Sequence, residues 1–332
     1  MPIYFVLLPV LFTGAALFIW MTLIEPRRFR VWRVGLPFRE RSEESEELAL
    51  DAGRLPELRV IHITDTHFDG RDRGKLGFLR AVFESVPDPD FVFLTGDILD
   101  MPRGLESCFE LAEMINAKLG AYAVLGGHDY FRFYELWRKY LSIYKNTPSP
   151  SRRKRPNPVV QLRRGLGERG VEVLEDENRI VSLPGDGRLA IVGLNDVFFF
   201  RCDYEKAWDG IGDMPAIVLA HSPDVLPQVV ARGADMAFFG HTHGGQVRLP
   251  YRGAIVTRSM VGACRARGVF REGKSIFTIN QGLGAARGTH IRLLCPPEIT
   301  MMHLGAEDYG QDYSRVQFRR PKTGPATSAA IQ

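Results

Sequence analysis

Five short runs of apolar residues recur in the chain, and each is followed at once by a turn rich in glycine, aspartate or histidine. The runs are residues 59–63, 91–94, 121–125, 216–219 and 236–239. Continuous apolar runs of this length, rich in β-branched and aromatic residues, are typical of strands buried on both faces of a sheet. Because open sheets carry their functional groups at the carboxyl ends of such strands, we expect the polar residues that follow to meet at one sheet edge.

The polar residues that follow the five runs are aspartates and histidines. In chain order they are Asp65, His67, Asp97, His128, Asp129, His221, His241 and His243. Carboxylate and neutral imidazole are suitable ligands for Mn, Fe or Zn, and two such ions about 3.5–4 Å apart can clamp both ends of a phosphoryl displacement. One such residue alone is more often a core or capping group, whereas five strand ends together indicate a two-metal hydrolytic site. His62, His290 and His303 lie in or beside apolar runs and are interpreted as core or surface residues.

The motifs resemble those of the calcineurin-like metallophosphoesterases, whose pattern is D-x-H, G-D, G-N-H-D/E, a lone H and G-H-x-H. GHTHGGQ at 240–246, NQGLG at 280–284 and CPPEIT at 295–300 are similar to the membrane-associated bacterial branch of that family. The resemblance covers about residues 57–304. It implies an α/β fold, a four-layer α/β/β/α sandwich with the metals at the sheet edge.

The resemblance also implies a metal ligand set and a cofactor of two divalent ions. The first ion would be held by Asp65, His67 and His243, the second by His221 and His241, and both would be bridged by Asp97. Mn is the expected metal, with Fe and Zn as alternatives, because Asp/His sites bind most divalent first-row ions.

The catalytic roles follow from the same resemblance. His128 would be the acid that assists the leaving oxygen, and Asp129 would orient its imidazole. The nucleophile would be a metal-activated hydroxide.

One position departs from the family pattern. G-N-H-D reads Gly126-Gly127-His128-Asp129 here, so the Asn amide that ligates the second metal is missing. Asn and Gly both tolerate positive φ, so the loop can keep its shape. We expect a water or a nearby group to fill the place of the amide, so that the second metal binds more weakly and the enzyme stays active. The alternative is an inactive site.

The amino terminus carries an apolar run of membrane-spanning length. Residues 4–24 are uncharged, no Lys or Arg precedes them, and Arg27, Arg28, Arg30 and Arg33 follow. This arrangement predicts an uncleaved signal anchor over 1–25 and, by the positive-inside rule, a catalytic domain in the cytoplasm. The expected location is the bacterial inner membrane, as a single-pass protein.

The remaining segments complete the predicted domain organisation. Residues 26–56 are interpreted as a juxtamembrane basic segment and linker, 57–304 as the catalytic domain, and 305–332 as a disordered tail. Within the domain, 147–164 is a proline-broken basic insertion. It is interpreted as a loop that is simply solvated, or that contacts an anionic leaflet or a substrate diphosphate. Four scattered cysteines give no zinc ribbon or disulfide framework, and a net charge of +4 does not indicate nucleic acid as a partner.

The location and the resemblance together narrow the expected substrate to a lipid-linked nucleotide or a phosphodiester met at the bilayer. The leading prediction is hydrolysis of the pyrophosphate of UDP-2,3-diacylglucosamine to UMP and 2,3-diacylglucosamine 1-phosphate, a reaction of lipid A synthesis. Phe199 and Arg201 are candidate substrate contacts, although the same run is equally an ordinary strand end. The alternatives are a broad phosphodiesterase for envelope or glycerophospholipid-type substrates and a non-catalytic anchored protein that binds headgroups.

Overall fold

The computed structural model describes residues 4–39, 48–133, 154–285 and 290–306, and within these ranges the strands form two six-stranded sheets and three two-stranded ones. The strands are β1 Arg30–Leu36, β2 Phe38–Arg39, β3 Leu50–Asp51, β4 Leu58–Ile63, β5 Phe91–Thr95, β6 Gly120–Val124, β7 Phe131–Phe133, β8 Lys154–Pro156, β9 Val171–Val173, β10 Glu177–Ser182, β11 Arg188–Gly193, β12 Ala216–Leu219, β13 Met236–Phe239, β14 Arg248–Leu249, β15 Gly253–Ala254, β16 Gly268–Glu272, β17 Ser275–Ile279 and β18 Glu298–Leu304. The helices are α1 Tyr4–Ile19, α2 Arg73–Ser85, α3 Leu105–Met114, α4 Gly127–Tyr130, α5 Val159–Gly167, α6 Tyr204–Ala207 and α7 Leu226–Ala231. A strand is therefore observed at each of the five apolar runs.

The first large sheet has the strand order β1-β18-β4-β5-β6-β9. Strands β4, β5, β6 and β9 run parallel, so the loops after β4, β5 and β6 lie at the same edge. The second large sheet has the order β10-β11-β12-β13-β17-β16, with β11, β12, β13 and β17 parallel. Each sheet thus brings the carboxyl ends of its central strands together, as the apolar runs predict.

The two sheets pack face to face because alternate strand residues point to opposite sides. Phe93 of β5 and Phe238 of β13 belong to one buried cluster between the sheets, and their rings lie 5.0 Å apart. Val92 points outward against α2, α3 and α5, and Val218 points outward against α6 and α7. The layers are therefore helix, sheet, sheet and helix, which confirms the predicted α/β/β/α architecture.

The predicted linker contains part of the domain. Strand β1, within the segment 26–56, pairs in parallel with β18 over seven residues, from Arg30 opposite Glu298 to Leu36 opposite Leu304. Val34 and Leu36 are buried between the sheets. The domain therefore begins near residue 30 and not at 57, and of the linker the residues 40–47 lie outside the described part.

The predicted basic loop is wrong where it can be compared with the structure. Residues 147–153 lie outside the described residues, but Lys154–Pro156 pairs with Phe131–Phe133, and α5 follows. Leu162 and Leu166 lie four residues apart on the buried side of α5 and pack against the first sheet. The prolines end the preceding strand instead of interrupting the helix. The predicted tail lies outside the described residues beyond 306.

One helix among the described residues, Leu7–Arg27, is long and apolar enough to cross a membrane by length and composition. No residue in the most apolar stretch of this helix is buried, which distinguishes it from the core helix of a soluble domain. A signal sequence meets the same criteria, so the span is a candidate.

Candidate metal centre

The predicted site residues come together where the two sheets meet. The loops after β4, β5 and β6 carry Asp65, His67, Asp97 and His128, and the loops after β12 and β13 carry His221, His241 and His243. Three overlapping groups have ligand atoms within 4.8 Å of one another: Asp65, His67 and His243; Asp65, Asp97 and His221; and His67, Asp97 and His128.

The backbone at these residues is in a conformation that non-glycine residues rarely adopt. The positive φ angles are 51° at Asp65, 44° at His67, 50° at Asp97, 67° at His241 and 49° at His243. Each such residue costs about 1–3 kcal/mol, and strain of this kind concentrates at functional sites. Five of the six predicted ligands share it, which indicates that side-chain placement takes precedence over backbone stability at this edge.

The first group places one carboxylate oxygen between two imidazoles. Asp65 Oδ1 lies 3.3 Å from His243 Nε2 and 3.8 Å from His67 Nε2, and the two ring nitrogens are 3.2 Å apart. Asp65 is fully buried, and its Oδ1 has no hydrogen-bond partner among the described residues. Its Oδ2 accepts hydrogen bonds from the Thr64 hydroxyl and the His241 backbone N–H. A buried carboxylate oxygen that faces two imidazole nitrogens is suited to a cation.

His221 and His241 form a second pair of candidate ligands, and each has a ring nitrogen whose lone pair faces the other. His221 Nδ1 lies 2.8 Å from Thr95 O, and His241 Nε2 lies 3.2 Å from Arg258 O. A carbonyl only accepts, so these two nitrogens carry the protons, and His221 Nε2 and His241 Nδ1 are left with lone pairs. Those two atoms are 3.3 Å apart. Two facing lone pairs at this distance need a cation or a proton between them, so the residues fit a metal ion.

Asp97 connects the two groups. Its Oδ2 lies 3.5 Å from His67 Nε2 and 3.4 Å from His221 Nε2, and its Oδ1 accepts the His128 backbone N–H at 2.8 Å. Burial raises the pKa of this carboxyl, but His221 and His128 lower it by more, and the net pKa lies well below the ordinary value. An ionised carboxylate between two imidazole sets is the arrangement that a bridging ligand requires.

The imidazoles of the site are not electrostatically equivalent. Burial lowers the pKa of His221, but Asp97, Asp65 and Asp196 raise it well above the ordinary value. Burial and the neighbouring His221 lower the pKa of His241 to about 3. His241 is therefore neutral near pH 7, the form in which an imidazole ligates a metal.

The structure corrects the predicted partner of His128. Asp100 Oδ1 lies 2.8 Å from His128 Nδ1, whereas the Asp129 carboxylate accepts the N–H groups of Leu99 and Gly126. Asp129 therefore holds two loops together, and Asp100 orients the imidazole. Burial lowers the pKa of His128, but Asp97 and the hydrogen bond that His128 donates to Asp100 raise it above its usual value.

A phenylalanine ring fills the space beside Gly127. A Cβ at Gly127 would lie 2.1 Å from Phe199 Cε2, and the other ring atoms follow at 2.8 and 2.9 Å. The ring that was predicted as a substrate contact therefore lies against the glycine, and the expectation that a water or a nearby group fills the place of the asparagine amide stays a prediction. Arg201 is exposed, and its role stays a prediction.

Asp196 is a residue of this region that the sequence interpretation missed. It is 1 % exposed, its carboxylate accepts the N–H groups of Phe198 and Gly127, and its carbonyl accepts those of Phe199 and Phe200. It thereby fixes the aromatic loop against Gly127. The signal was present, since Asn195-Asp196 follows the apolar run of β11 in the way that the other motifs follow theirs.

The three remaining histidines have no part in the cluster. His62 is buried in β4 with Nε2 2.8 Å from Thr95 Oγ1, and His303 pairs with Glu57. His290 is exposed. These positions agree with the core and surface interpretations.

The late glycine-rich run closes the back of the site. Leu283 and Gly284 donate to the carbonyls of Thr64 and Asp65, and a Cβ at Gly282 would lie 2.6 Å from the Asp65 Cβ. The buried Arg292 donates to the carbonyls of Gln281, Gly282 and Gly284, which fixes this run in place.

The fold and site geometry agree with comparisons to known proteins. The family model described as calcineurin-like phosphoesterase matches residues 58–245, and the chain belongs to this family. The chain is thus a metallophosphoesterase-family hydrolase, and its clustered aspartates and histidines are candidate ligands for divalent metals.

Individual relatives are similar at a lower level. The chain is 26 % identical to the uncharacterized metallophosphoesterase YkuE of Bacillus subtilis over 79 % of this chain and 85 % of that one. It is 27 % identical to the UDP-2,3-diacylglucosamine pyrophosphatase LpxG of Chlamydia trachomatis, over 86 % of this chain and 92 % of the relative. It is 26 % identical to the phosphodiesterase YaeI of Escherichia coli, over 65 % of this chain and 70 % of the relative.

Proposed function

We propose that this chain is a membrane-anchored, two-metal phosphoesterase, and that its substrate is an amphiphilic phosphate taken from the membrane. The observation that carries the proposal is the position of Asp97 Oδ2, 3.5 Å from His67 Nε2 and 3.4 Å from His221 Nε2. It supports two ion positions that share one carboxylate, the first with Asp65, His67 and His243 and the second with His221 and His241.

The bound ions would act as Lewis acids and lower the pKa of a bound water from 15.7 towards 7. Mn is the proposed metal, and Fe and Zn satisfy the same donors. The chain's own part is to fix the donors: Thr95 O orients His221, and Arg258 O orients His241.

His128 is the proposed proton donor to the leaving oxygen. Asp100 holds Nδ1, which leaves Nε2 to deliver the proton, and the His128 N–H bond to Asp97 Oδ1 ties the acid to the shared carboxylate. The raised pKa of His128 keeps more of it protonated near neutral pH than a free imidazole. Positioned acids of this kind contribute roughly 10²–10⁴-fold to a rate.

The leading substrate is UDP-2,3-diacylglucosamine, whose pyrophosphate is hydrolysed by one water to UMP and 2,3-diacylglucosamine 1-phosphate. The relative LpxG carries this activity in its name and is similar over 86 % of this chain. An aromatic surface beside the second ion position suits acyl chains: Phe198 stacks on His241 at 4.7 Å, and Phe198 and Phe200 are 47 % and 36 % exposed.

The second candidate is a broad phosphodiesterase for envelope or glycerophospholipid-type substrates, and the relative YaeI is by name a phosphodiesterase. The non-catalytic alternative rested on Gly127, and its main support is removed by membership of a hydrolase family together with the otherwise complete donor set.

The location proposed for the chain is the bacterial inner membrane, with α1 as the anchor and the catalytic domain in the cytoplasm. The arginines at 27, 28, 30 and 33 favour this orientation.

The test is UMP release from UDP-2,3-diacylglucosamine by the detergent-solubilised full chain with Mn. We expect release by the wild type, none by Asp97→Asn, and normal release by Asp209→Asn, which removes an exposed carboxylate elsewhere. UDP-glucose, which lacks acyl chains, should be a much poorer substrate. Cleavage of bis-p-nitrophenyl phosphate without UMP release would contradict the lipid-nucleotide assignment and favour the diesterase.

A further inference from the structure

Exposed apolar side chains are concentrated in two loop segments that contribute no side chain to the proposed ligand set. They are Leu249 (43 %), Tyr251 (89 %), Ile255 (58 %), Val256 (47 %), Met260 (79 %), Ile291 (37 %) and Leu294 (49 %). In the described part of the chain outside α1 and the turn that follows it to Ile24, the other exposed large apolar residues are Val160, Ile180, Val197, Phe198 and Phe200. Soluble monomers rarely expose apolar residues in such groups, so this surface is expected to have a partner.

The two segments form one surface, here named the apolar loop surface. Val247 bridges to Leu293, and the N–H of Arg248 donates to Leu293 O at 3.0 Å. The N–H of Ile255 in turn donates to Val247 O at 3.2 Å. Segment 249–260 is therefore held beside segment 291–294.

The apolar loop surface is joined directly to the end of the candidate membrane helix. The N–H of Arg292 donates to Met21 O at 2.9 Å, and the N–H of Cys295 donates to Glu25 Oε1 at 2.9 Å. Glu25 also accepts the Trp20 Nε1–H at 2.7 Å and is 2 % exposed. A membrane that holds the helix would therefore lie against this surface.

The charges of the surface fit anionic lipid. Residues 248–267 contain five arginines and no aspartate or glutamate. Arg252 and Arg258 are exposed and alternate along the chain with Tyr251, Ile255 and Met260. Apolar residues interspersed with arginine are typical of segments that lie in the headgroup region of a bilayer.

The same surface borders the ion site. Arg258 O accepts from His241 Nε2 at the edge of the ring, and the ring of Phe198 stacks on that of His241 at 4.7 Å. His241 thus contacts both the apolar loop surface and the exposed residues at 197–200.

We propose that the apolar loop surface is a second membrane contact, which rests on an anionic bilayer beside α1 and turns the mouth of the ion site towards the lipid. This inference builds on the proposed function, because it explains how a substrate whose acyl chains stay in the bilayer reaches the ions.

The experiment uses variants of the full chain that each carry one exposed cysteine. Among the described residues Cys264 is exposed, and Cys108, Cys202 and Cys295 are buried. In a Cys264→Ser background, Tyr251→Cys and Met260→Cys report on the surface, while Val160→Cys and Ile180→Cys are exposed controls. Each is labelled with an environment-sensitive fluorophore and reconstituted into nanodiscs with phosphatidylglycerol or with phosphatidylcholine alone. The Cys264→Ser protein without an added cysteine gives the background fluorescence.

We expect a blue-shifted emission and quenching by nitroxide lipids at 251 and 260, stronger with the anionic lipid, and neither effect at 160 or 180. Equal behaviour at all four positions would overturn the proposal. A shielded label at 260 that nitroxide lipids do not quench, in a particle with two chains, would show that a second copy covers the surface and would also overturn it.

A kinetic experiment separates this inference from the proposed substrate. Tyr251→Asp and Met260→Asp should raise KM several-fold for a bilayer-embedded substrate and leave turnover of bis-p-nitrophenyl phosphate in water unchanged. The label measurement needs no turnover, so quenching at 251 and 260 without UMP release would keep the membrane contact and reject only the lipid-nucleotide substrate.

Discussion

The two proposed ion positions use similar donors but have different surroundings. At the first, the uncommitted Oδ1 of Asp65 faces His67 and His243, and the glycine-rich run at 282–284 closes the site from behind. At the second, His221 and His241 face each other with the shared Asp97, and Gly127 with the ring of Phe199 stands where the family pattern has an asparagine. The first position has its own carboxylate and the second has none, so we expect the first ion to bind more tightly.

The largest effect should come from the residue that both positions share. Asp97→Asn replaces an ionised oxygen by a neutral amide, and we expect turnover of bis-p-nitrophenyl phosphate to fall roughly 10³-fold, as for a lost transition-state contact. Metal analysis after dialysis should give fewer than two ions per chain. Asp209→Asn should retain both ions, and an Asp97→Asn protein with two tightly held ions would rule out the shared carboxylate.

A smaller effect is expected at the proton donor. Asp100→Asn removes the negative charge that raises the pKa of His128, so the acid loses its proton at lower pH. The alkaline limb of the pH–rate profile should move to lower pH, and kcat near pH 8 should fall about 10–100-fold, within the range of acid catalysis. The pH–rate profile of each variant is the measurement.

Asp129→Asn is the matched comparison for that prediction. It should lower the melting temperature, because the bonds to Leu99 and Gly126 weaken. It should move the alkaline limb less than Asp100→Asn does, because Asp129 makes no hydrogen bond to His128 and raises its pKa less than Asp100 does. A shift of the limb by Asp129→Asn, and none by Asp100→Asn, would return the orienting role to Asp129.

The second ion position can be changed at Gly127. Gly127→Asn places a Cβ 2.1 Å from the Phe199 ring, and we expect a loss of about 1–3 kcal/mol in unfolding free energy from overpacking. Gly127→Asn with Phe199→Ala makes room for the amide, so stability should recover and the weaker Mn should bind more tightly. Thermal unfolding and Mn titration measure the two effects, and tighter Mn binding by the single variant would mean that the ring does not block the amide.

The smallest effect concerns the support behind the first ion position. Burial raises the pKa of Glu298 to about 7 from 4.5, and Gln281 Nε2 donates to its carboxyl. Between these values only the unfolded chain loses the proton, so this contribution to stability is present below pH 4.5 and is lost as the pH rises through 7. The free energy of unfolding should therefore fall between pH 5 and pH 8, and Glu298→Gln should reduce this fall by on the order of 1–2 kcal/mol in denaturant titrations at the two pH values. Equal pH dependence in both proteins would mean that Glu298 ionises normally.

Much of the site could be predicted because its chemistry lies in local motifs. Each apolar run became a strand, and its carboxyl end delivered the expected Asp or His to one sheet edge. The position of Asp65, Asp97 and His221 at this edge follows from their place after a buried strand, and their roles as ligands came from the family resemblance.

What could not be predicted depends on contacts between distant segments. Strand β1 pairs with β18 some 270 residues away, and Phe199 reaches Gly127 only because Asp196 bonds to both loops. Asp129 follows His128 directly in the chain, whereas Asp100 precedes it by 28 residues, and only the three-dimensional position of the imidazole shows that Asp100 is its partner. Helix α5 was hidden because prolines and arginines obscured the spacing of Leu162 and Leu166.

The most direct test of the two-ion account is an electron paramagnetic resonance titration of the metal-free full chain with Mn. We expect an isolated Mn signal at the first equivalent and a spin-coupled pair at the second, with weaker binding of the second ion and no coupled signal in Asp97→Asn. Saturation at one ion per chain, or two ions without coupling in the wild type, would contradict a site built around a shared Asp97.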